Sequence, residues 1–257
     1  MLFKKSKKFL IVSLCTLTLG SCISEKNILN RVIPQSLNTT SFLSIPIDST
    51  NTTGVLQTND GRSDWKFNLK TPLLEPDKQY PLFILLHGGV ASKNYLKFSN
   101  CLVAPALNSM NGFIFSPSGA WRTWSMSYLE KRIDDFIILA KKHWPIDPQK
   151  IVLIGYSNGA MAGWERAQQL NQPFSAYILM GSDGKSEQII TTPTYVIQGT
   201  DDHFFSFKKV EKRIHKAKLE GSNLTLKKAP NKTHIKACDY VTELKSAGKW
   251  LEESVWN

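Results

Sequence analysis

The chain has 257 residues, 42% of them hydrophobic, and carries a formal net charge of +11. This length and apolar content suit one domain with a single large core. No internal repeat is visible, which argues against a repeat architecture. The sequence contains no basic helix with interleaved aromatic residues, so it gives no indication of nucleic-acid binding.

The first 21 residues have the features of a secretory signal. A head with four lysines precedes an apolar stretch at 9–19, which is too short to span a bilayer. The end of this stretch and the three residues after it, Leu19-Gly20-Ser21-Cys22, resemble the bacterial lipobox, in which the cysteine becomes the acylated N-terminus. We therefore expect a lipoprotein signal peptide over 1–21 and palmitate on Cys22. An ordinary signal with an incidental Cys22 is the alternative.

The segment after the signal predicts a tether. Residues 22–41 are rich in Asn, Ser and Thr, so we expect them to link the lipid to a globular domain at 42–257. Ile23, in place of an aspartate after the cysteine, favours the outer membrane of the cell envelope by resemblance to lipoprotein sorting patterns. Removal of the four signal lysines lowers the net charge from +11 to +7. Solubility explains that charge more simply than binding to anionic lipid or polysaccharide.

The globular part predicts strands that alternate with helices. Two antiparallel strands are expected at 42–48 and 64–71, with a turn at 58–61. Further strands are predicted at 82–86, 112–115, 151–154, 176–180, 194–197 and 224–226, and helices at 128–144, 160–170, 207–219 and 240–252. This alternation indicates an α/β fold with a doubly wound, mostly parallel sheet. About a dozen residues separate 180 from 194, which leaves no room for a large lid there.

The pentapeptide at 155–159 is a G-x-S-x-G motif between a predicted strand and a predicted helix. A sharp turn at that point exposes the hydroxyl of Ser157, and the flanking glycines avoid clashes that a Cβ would cause. The first amides of the following helix then point toward whatever the serine attacks. The alternative is a glycine-lined turn with a solvated serine.

A serine nucleophile needs a base, and the base needs an acid that fixes its tautomer. The loop after the strand at 194–197 offers Asp201 and Asp202, while Asp183 follows the preceding strand. Of five histidines, His234 alone follows the last short strand on a loop. His87 precedes the nucleophile, and the other three have simpler roles as capping, solvated or acid-adjacent residues.

These segments together resemble the α/β-hydrolase superfamily, and within it the esterases grouped with polyhydroxybutyrate depolymerases and feruloyl esterases. The likeness is carried by residues 80–89, 146–160, 199–202 and His234. It implies the order nucleophile, acid, base along the chain. A family pattern G-T-x-D selects Asp202 over Asp201. The chain departs from the esterase group in having Ala160 where a glycine is usual and Gly89 where a cysteine is frequent.

The resemblance also implies supporting residues. Backbone amides of Gly89 and Asn158 are expected to form an oxyanion hole, with His87 in a structural role. Four aromatic residues near these loops either line a pocket or pack in the core: Trp121, Trp124, Phe204 and Phe205. In the resembled fold the first and last helices lie side by side, with Cys101 on one and Cys238 on the other. A disulfide between them and two separate thiols are both open.

The function implied by the resemblance is a serine esterase with Ser157, His234 and Asp202 as its triad. No metal and no organic cofactor is implied. The expected partners are a small-molecule or polymer ester and, through the lipid anchor, a membrane. A non-catalytic envelope lipoprotein on a hydrolase scaffold is one alternative, and a peptidase or thioesterase of the same superfamily is another. The oligomeric state is left open.

Overall fold

A computed structural model of the chain describes residues 35–89, 94–119, 124 and 127–257. The expected signal peptide, Cys22, most of the expected tether and Trp121 lie outside the described residues. In the described part of the chain, no helix has the length and apolar character needed to cross a membrane.

One eight-stranded sheet organises the fold. Its strands are β1 (Asn51–Gln57), β2 (Asp64–Lys70), β3 (Tyr80–Leu86), β4 (Phe113–Pro117), β5 (Ile146–Tyr156), β6 (Ala176–Met180), β7 (Thr194–Gly199) and β8 (Leu224–Ala229). Their spatial order is β1-β2-β4-β3-β5-β6-β7-β8. The pairs β1–β2 and β2–β4 are antiparallel, and all the others are parallel. The predicted mostly parallel sheet is confirmed.

Helices cover both faces of this sheet. The main ones are α1 (Thr39–Leu43), α2 (the contiguous helical segments Tyr95–Phe98, Ser99–Val103 and Ala104–Leu107), α3 (Ser127–His143), α4 (Asn158–Ala167), α5 (Phe207–Leu219) and α6 (Val241–Trp250). The segment Ser99–Val103 is a π-helix. The core on one face includes residues of α3, α4 and α5, and the core on the other includes residues of α2 and α6. The predicted doubly wound arrangement is therefore confirmed.

Strand β3 shows why the central strands are apolar throughout. Leu82, Ile84 and Leu86 belong to one core, whereas Phe83 and Leu85 belong to the other. Alternate side chains of a strand point to opposite faces, so a strand covered on both faces buries all of them. Apolar runs of this kind are what the sequence presented at each central strand.

The prediction of a strand at 42–48 is wrong. Phe42 lies in α1, which begins after Asn38, and the Asn38 side chain accepts a hydrogen bond of 2.9 Å from the Ser41 amide. The strand that pairs with β2 is β1, an edge strand in which only Leu56 is buried. Such a strand carries little hydrophobic pattern. The packed domain also starts ahead of residue 42, since Leu37 is buried and forms a β-bridge with Thr58.

Two further features position the site. The connection 181–193 between β6 and β7 contains no helix or strand, in agreement with the prediction that no large lid lies there. The sulfur atoms of Cys101 and Cys238 are joined in a disulfide that links residues 137 positions apart. Cys101 lies in the π-helical segment of α2, and Cys238 lies in the short 3-10 helix Ala237–Tyr240 that precedes α6.

Candidate active site

Ser157 lies at a sharp turn between β5 and α4. Its backbone has φ 52° and ψ −116°, a region that residues with a side chain rarely occupy. The Ser157 amide donates to the carbonyl of Met180 over 2.8 Å, which ties the turn to the neighbouring strand β6. The strained turn therefore places the serine hydroxyl at the carboxyl edge of the sheet, as the motif predicted.

The two glycines of the motif allow this turn to pack closely. A Cβ on Gly155 would come within 2.5 Å of the carbonyl oxygen of Gly159. A Cβ on Gly159 would overlap the carbonyl of Leu86 at the end of β3. Any larger residue at either position would push α4 away from the sheet. The glycines thus serve the close approach of helix and strand, in addition to the turn itself.

Three side chains from separate segments form a continuous hydrogen-bonded chain. Ser157 Oγ lies 2.8 Å from His234 Nε2, and His234 Nδ1 lies 2.9 Å from Asp202 Oδ2. Ser157 follows β5, Asp202 follows β7 and His234 follows β8. The carboxyl ends of parallel strands meet at one edge of the sheet, so residues 77 positions apart come into contact.

Asp202 is buried and fully engaged. Its Oδ1 accepts hydrogen bonds from the amides of Phe204 (2.9 Å) and Phe205 (2.8 Å). Its Oδ2 accepts from Gln198 Nε2 over 3.0 Å as well as from His234. Burial raises the pKa of the Asp202 carboxyl, but the bonds from His234 and from the two amides outweigh burial and hold the pKa below its usual value. The carboxylate therefore stays ionised behind the imidazole.

The other acidic candidates occupy different surroundings. Asp201 is exposed, and its carboxylate accepts a hydrogen bond of 2.7 Å from the Thr200 hydroxyl. Asp183 pairs with Arg213, with 3.3 Å between the charged atoms. The carboxylate at His234 Nδ1 is that of Asp202. The structure therefore brings Asp202, and not Asp201 or Asp183, to the histidine.

The expected oxyanion residues lie next to the nucleophile. Gly89 follows β3 with φ 91°, a left-handed conformation that favours glycine. The side-chain amide of Asn158 donates to the Gly89 carbonyl over 3.3 Å, which links the two segments. Asn158 is also the first residue of α4, and the first amides of a helix have no carbonyl partner within the helix. Both backbones are thus available beside Ser157.

His87 holds the loop that carries Gly89. Its ring is buried, with Nδ1 2.9 Å from the Gly88 carbonyl and Nε2 accepting from the Gly119 amide over 2.9 Å. One partner is an acceptor and the other a donor, so the ring is neutral with its proton on Nδ1. Trp124 donates to the His87 carbonyl over 2.9 Å and is itself buried. The predicted structural role of His87 is confirmed, and Trp124 supports that loop from the core.

A cleft of about 360 Å³ opens above these residues. It is lined by Gly88, Gly89, Asn94, Lys97, Phe98, Tyr156, Ser157, Phe204, Phe205, His234, Ile235 and Ala237. Phe204 is 70% exposed, and its ring centroid lies 4.8 Å from that of His234. Phe205 lies on the same imidazole, with 5.3 Å between ring centroids. Of the aromatic candidates, Phe204 and Phe205 line the cleft and Trp124 packs in the core.

Two further residues support the site without being predictable from the sequence. The Tyr156 hydroxyl donates to the backbone carbonyl of His234 over 2.7 Å. Gln198 joins Asp202 to the carbonyl of Phe205, over 3.0 and 2.7 Å. Tyr156 stands inside the G-x-S-x-G motif and Gln198 just before the acid loop. Their partners depend on the packing of distant segments, so no local pattern marks them.

The fold of the chain is similar to that of several solved hydrolase structures. A thermostable esterase has a TM-score of 0.62 at 17% identity, over 80% of this chain and 63% of its own. A fluorophosphonate-binding serine hydrolase of Staphylococcus aureus has a TM-score of 0.65 at 12% identity, over 78% of this chain and 97% of its own. An esterase of Pyrococcus furiosus has a TM-score of 0.62 at 14% identity, over 81% and 94%. The chain thus spans less than two thirds of the thermostable esterase, and identities this low establish the fold alone.

The family follows from the sequence itself. Residues 119–257, more than half of the chain, match the sequence model of the dienelactone hydrolase family. The chain therefore belongs to the dienelactone hydrolase family. No curated protein shows significant similarity to it. The predicted superfamily is confirmed, and the protein is a member of a family of hydrolases.

The neutral state of His87 generates a prediction about stability. Burial lowers the pKa of His87, so the unfolded chain takes up this proton at a higher pH than the folded chain does. The free energy of unfolding should then fall by up to about 1 kcal/mol as the pH drops below about 6.5, the pKa of a histidine in the unfolded chain. His87→Gln should lack this component. Urea unfolding at pH 7.5 and 5.5 measures it.

The exposed His215 on α5 provides the control. His215→Gln should keep the pH dependence of the native protein. An unchanged pH dependence in His87→Gln would show that His87 is not held neutral by its two hydrogen bonds.

Proposed function

We propose that the protein is a serine esterase that cleaves carboxylic esters through an acyl-enzyme. The observation that carries the proposal is the hydrogen-bonded series from Ser157 through His234 to Asp202, with successive distances of 2.8 and 2.9 Å. A base within reach of a hydroxyl, and a carboxylate behind that base, are what activation of a serine requires. Membership in a hydrolase family and a fold shared with esterases support the same activity.

The first half of the reaction follows from the positions of these atoms. Ser157 Oγ attacks the ester carbonyl carbon while its proton passes to His234 Nε2. Asp202 holds Nδ1–H and stabilises the imidazolium. The amides of Gly89 and Asn158 stabilise the negative charge on the carbonyl oxygen, and each such donor is worth about 3 kcal/mol in the transition state. When the carbon–oxygen bond breaks, His234 gives its proton to the leaving alcohol.

Water completes the cycle by the same route. It attacks the acyl-serine ester, gives a proton to His234 Nε2 and forms a second tetrahedral intermediate. That intermediate releases the carboxylic acid, and the proton returns to Ser157 Oγ. Every step uses groups of this chain and one water. His234 thus serves as the base in breaking both the ester bond of the substrate and that of the acyl-serine.

The triad can be tested with a fluorophosphonate probe and p-nitrophenyl acetate. We expect the native chain to be labelled and Ser157→Ala to remain unlabelled. Asp202→Asn should reduce kcat on the order of 10⁴-fold, because the imidazole then adopts the wrong tautomer. Asp201→Asn is the matched control because Asp201 lies on the same loop. It should retain native activity because the Asp201 side chain does not contact His234.

Absence of both labelling and turnover in folded native protein would favour the non-catalytic scaffold. A panel of esters, thioesters and peptides then separates the remaining alternatives. It should include lactones, since a dienelactone is a cyclic ester, together with feruloyl and hydroxybutyrate esters. The relation to the polyhydroxybutyrate depolymerase and feruloyl esterase group stays a prediction that this panel decides.

The cleft favours an ester with a small apolar group. Its volume of about 360 Å³ lies near the lower end for ligand sites, and Phe204, Phe205 and Ile235 present apolar surface beside the triad. Phe204 offers the most, since it is exposed and lies against the imidazole. We infer that the apolar part of the substrate contacts Phe204.

Phe204→Ser tests this contact. It should lower kcat/KM for p-nitrophenyl hexanoate about fivefold and that for the acetate much less, because roughly 1 kcal/mol of apolar contact is lost. Leu219→Ser is the control: Leu219 is 77% exposed at the end of α5, just ahead of β8 and so at the opposite edge of the sheet. An equal loss for both esters would mean that Phe204 acts on His234 and not on the acyl chain.

The expected location is a separate part of the proposal. We propose that the mature protein is anchored in the bacterial cell envelope by lipid on Cys22, on the basis of the lipobox-like sequence, and in the outer membrane, on the basis of Ile23 after it. Labelled palmitate should enter the native chain but not Cys22→Ser. Cys15→Ser, which alters the apolar part of the signal, should still be labelled. Incorporation into Cys22→Ser would contradict the anchor.

A further inference from the structure

The segment that carries His234 has little support of its own. Residues 230–236, here called the base loop, connect β8 to the 3-10 helix Ala237–Tyr240 and contain no helix or strand. None of these seven residues is buried. A segment of this kind is positioned by a few specific contacts and not by burial. The alignment of the imidazole with Ser157 therefore depends on where those contacts are.

The start of the base loop is held by the loop after β7. The Asp201 amide donates to the carbonyl of Lys232 over 3.1 Å, and the Asn231 amide donates to the Thr200 hydroxyl oxygen over 2.8 Å. These bonds keep the acid loop and the base loop together. They lie at least two residues before His234, so they leave its own backbone unfixed.

Tyr156 holds the backbone at His234 itself. Its hydroxyl donates to the His234 carbonyl over 2.7 Å, and its side chain is almost completely buried. The ring packs edge-on against Phe98 and Tyr240, with centroids 5.3 and 5.8 Å away. Burial, reinforced by nearby Tyr240 and Asp202, raises the pKa of the phenol, so it remains a donor. Tyr156 directly precedes Ser157, so one strand end supports both the nucleophile and the base.

The disulfide holds the far end of the base loop. Cys238 lies four residues after His234, and Cys101 lies three residues after Phe98, which lines the cleft. The two Cα atoms are 5.3 Å apart. The bridge therefore fastens the segment after the base to the wall of the cleft that α2 provides.

We propose that Tyr156 and the Cys101–Cys238 disulfide are positioning groups that hold His234 in line with Ser157. This inference rests on the proposed function. Tyr156 fixes the backbone carbonyl of the base, and the bridge fixes the exit of its loop. A shift of about 1 Å in a catalytic group can cost 10²-fold in rate, so loosening either contact should affect proton transfer more than substrate binding.

The test compares Tyr156→Phe and the double variant Cys101→Ser/Cys238→Ser with the native protein. We expect kcat for p-nitrophenyl acetate to fall 10- to 100-fold in Tyr156→Phe and about tenfold in the double variant, with KM within about twofold. Hydrogen exchange in a peptide spanning 230–240 should become faster in both. All assays run well below the melting temperature of each variant, so that the measured protein is folded.

Tyr195→Phe is the matched control, because Tyr195 is a buried tyrosine of the same core that lies on β7 outside the cleft. It should keep native kcat and native exchange in 230–240. Dithiothreitol should lower kcat of the native protein but not that of the double variant.

Two outcomes would overturn the proposal. In the first, Tyr156→Phe and the double variant melt at lower temperature but retain native kcat, which would leave both groups with a structural role only. In the second, exchange in 230–240 is unchanged. The exchange measurement needs no turnover, so it also decides the positioning role if the native protein proves inactive on esters and toward the fluorophosphonate probe.

Discussion

The backbone strain at Ser157 is the constraint on which the rest of the site depends. Its φ of 52° with ψ −116° costs on the order of 1–3 kcal/mol, and it persists because the flanking structure leaves no alternative. Strand β5 is buried between β3 and β6, and α4 lies so close to the sheet that only glycine fits at 155 and 159. In this backbone conformation the Ser157 hydroxyl faces His234, and α4 begins beside the cleft.

The parallel sheet then supplies the remaining groups from separate strands. Gly89 follows β3, Asp202 follows β7 and His234 follows β8, all at the carboxyl edge. Electrostatics complete the arrangement, since the Asp202 carboxylate accepts four hydrogen bonds and needs no water. Burial of an ion is tolerated only with such partners. The orientation of the imidazole is therefore set by a rigid acid, while the position of its backbone is set by Tyr156.

Sequence patterns predicted those features that local physics dictates. Central strands are buried on both faces, so their continuous apolar runs could be recognised, and the glycines at 155 and 159 mark the turn that holds Ser157. Edge strand β1 buries only Leu56, so its sequence carries no hydrophobic pattern from which its position could be predicted. The pairing of Cys101 with Cys238 could not be decided from the sequence, because only the fold brings together residues that are 137 positions apart. The contacts of Tyr156 and Gln198 with the acid and base loops could not be predicted for the same reason, because they too form only through the fold.

The plain connection at 181–193 has a consequence for the surroundings of Ser157. None of the residues 181–193, all of which the structure describes, is among those that line the cleft. The surroundings of Ser157 are instead formed by the segments that carry Gly89, Phe98 and Phe204. Under the proposed function, discrimination between substrates would therefore rest on the atoms next to the scissile bond, where Phe204 and Phe205 lie.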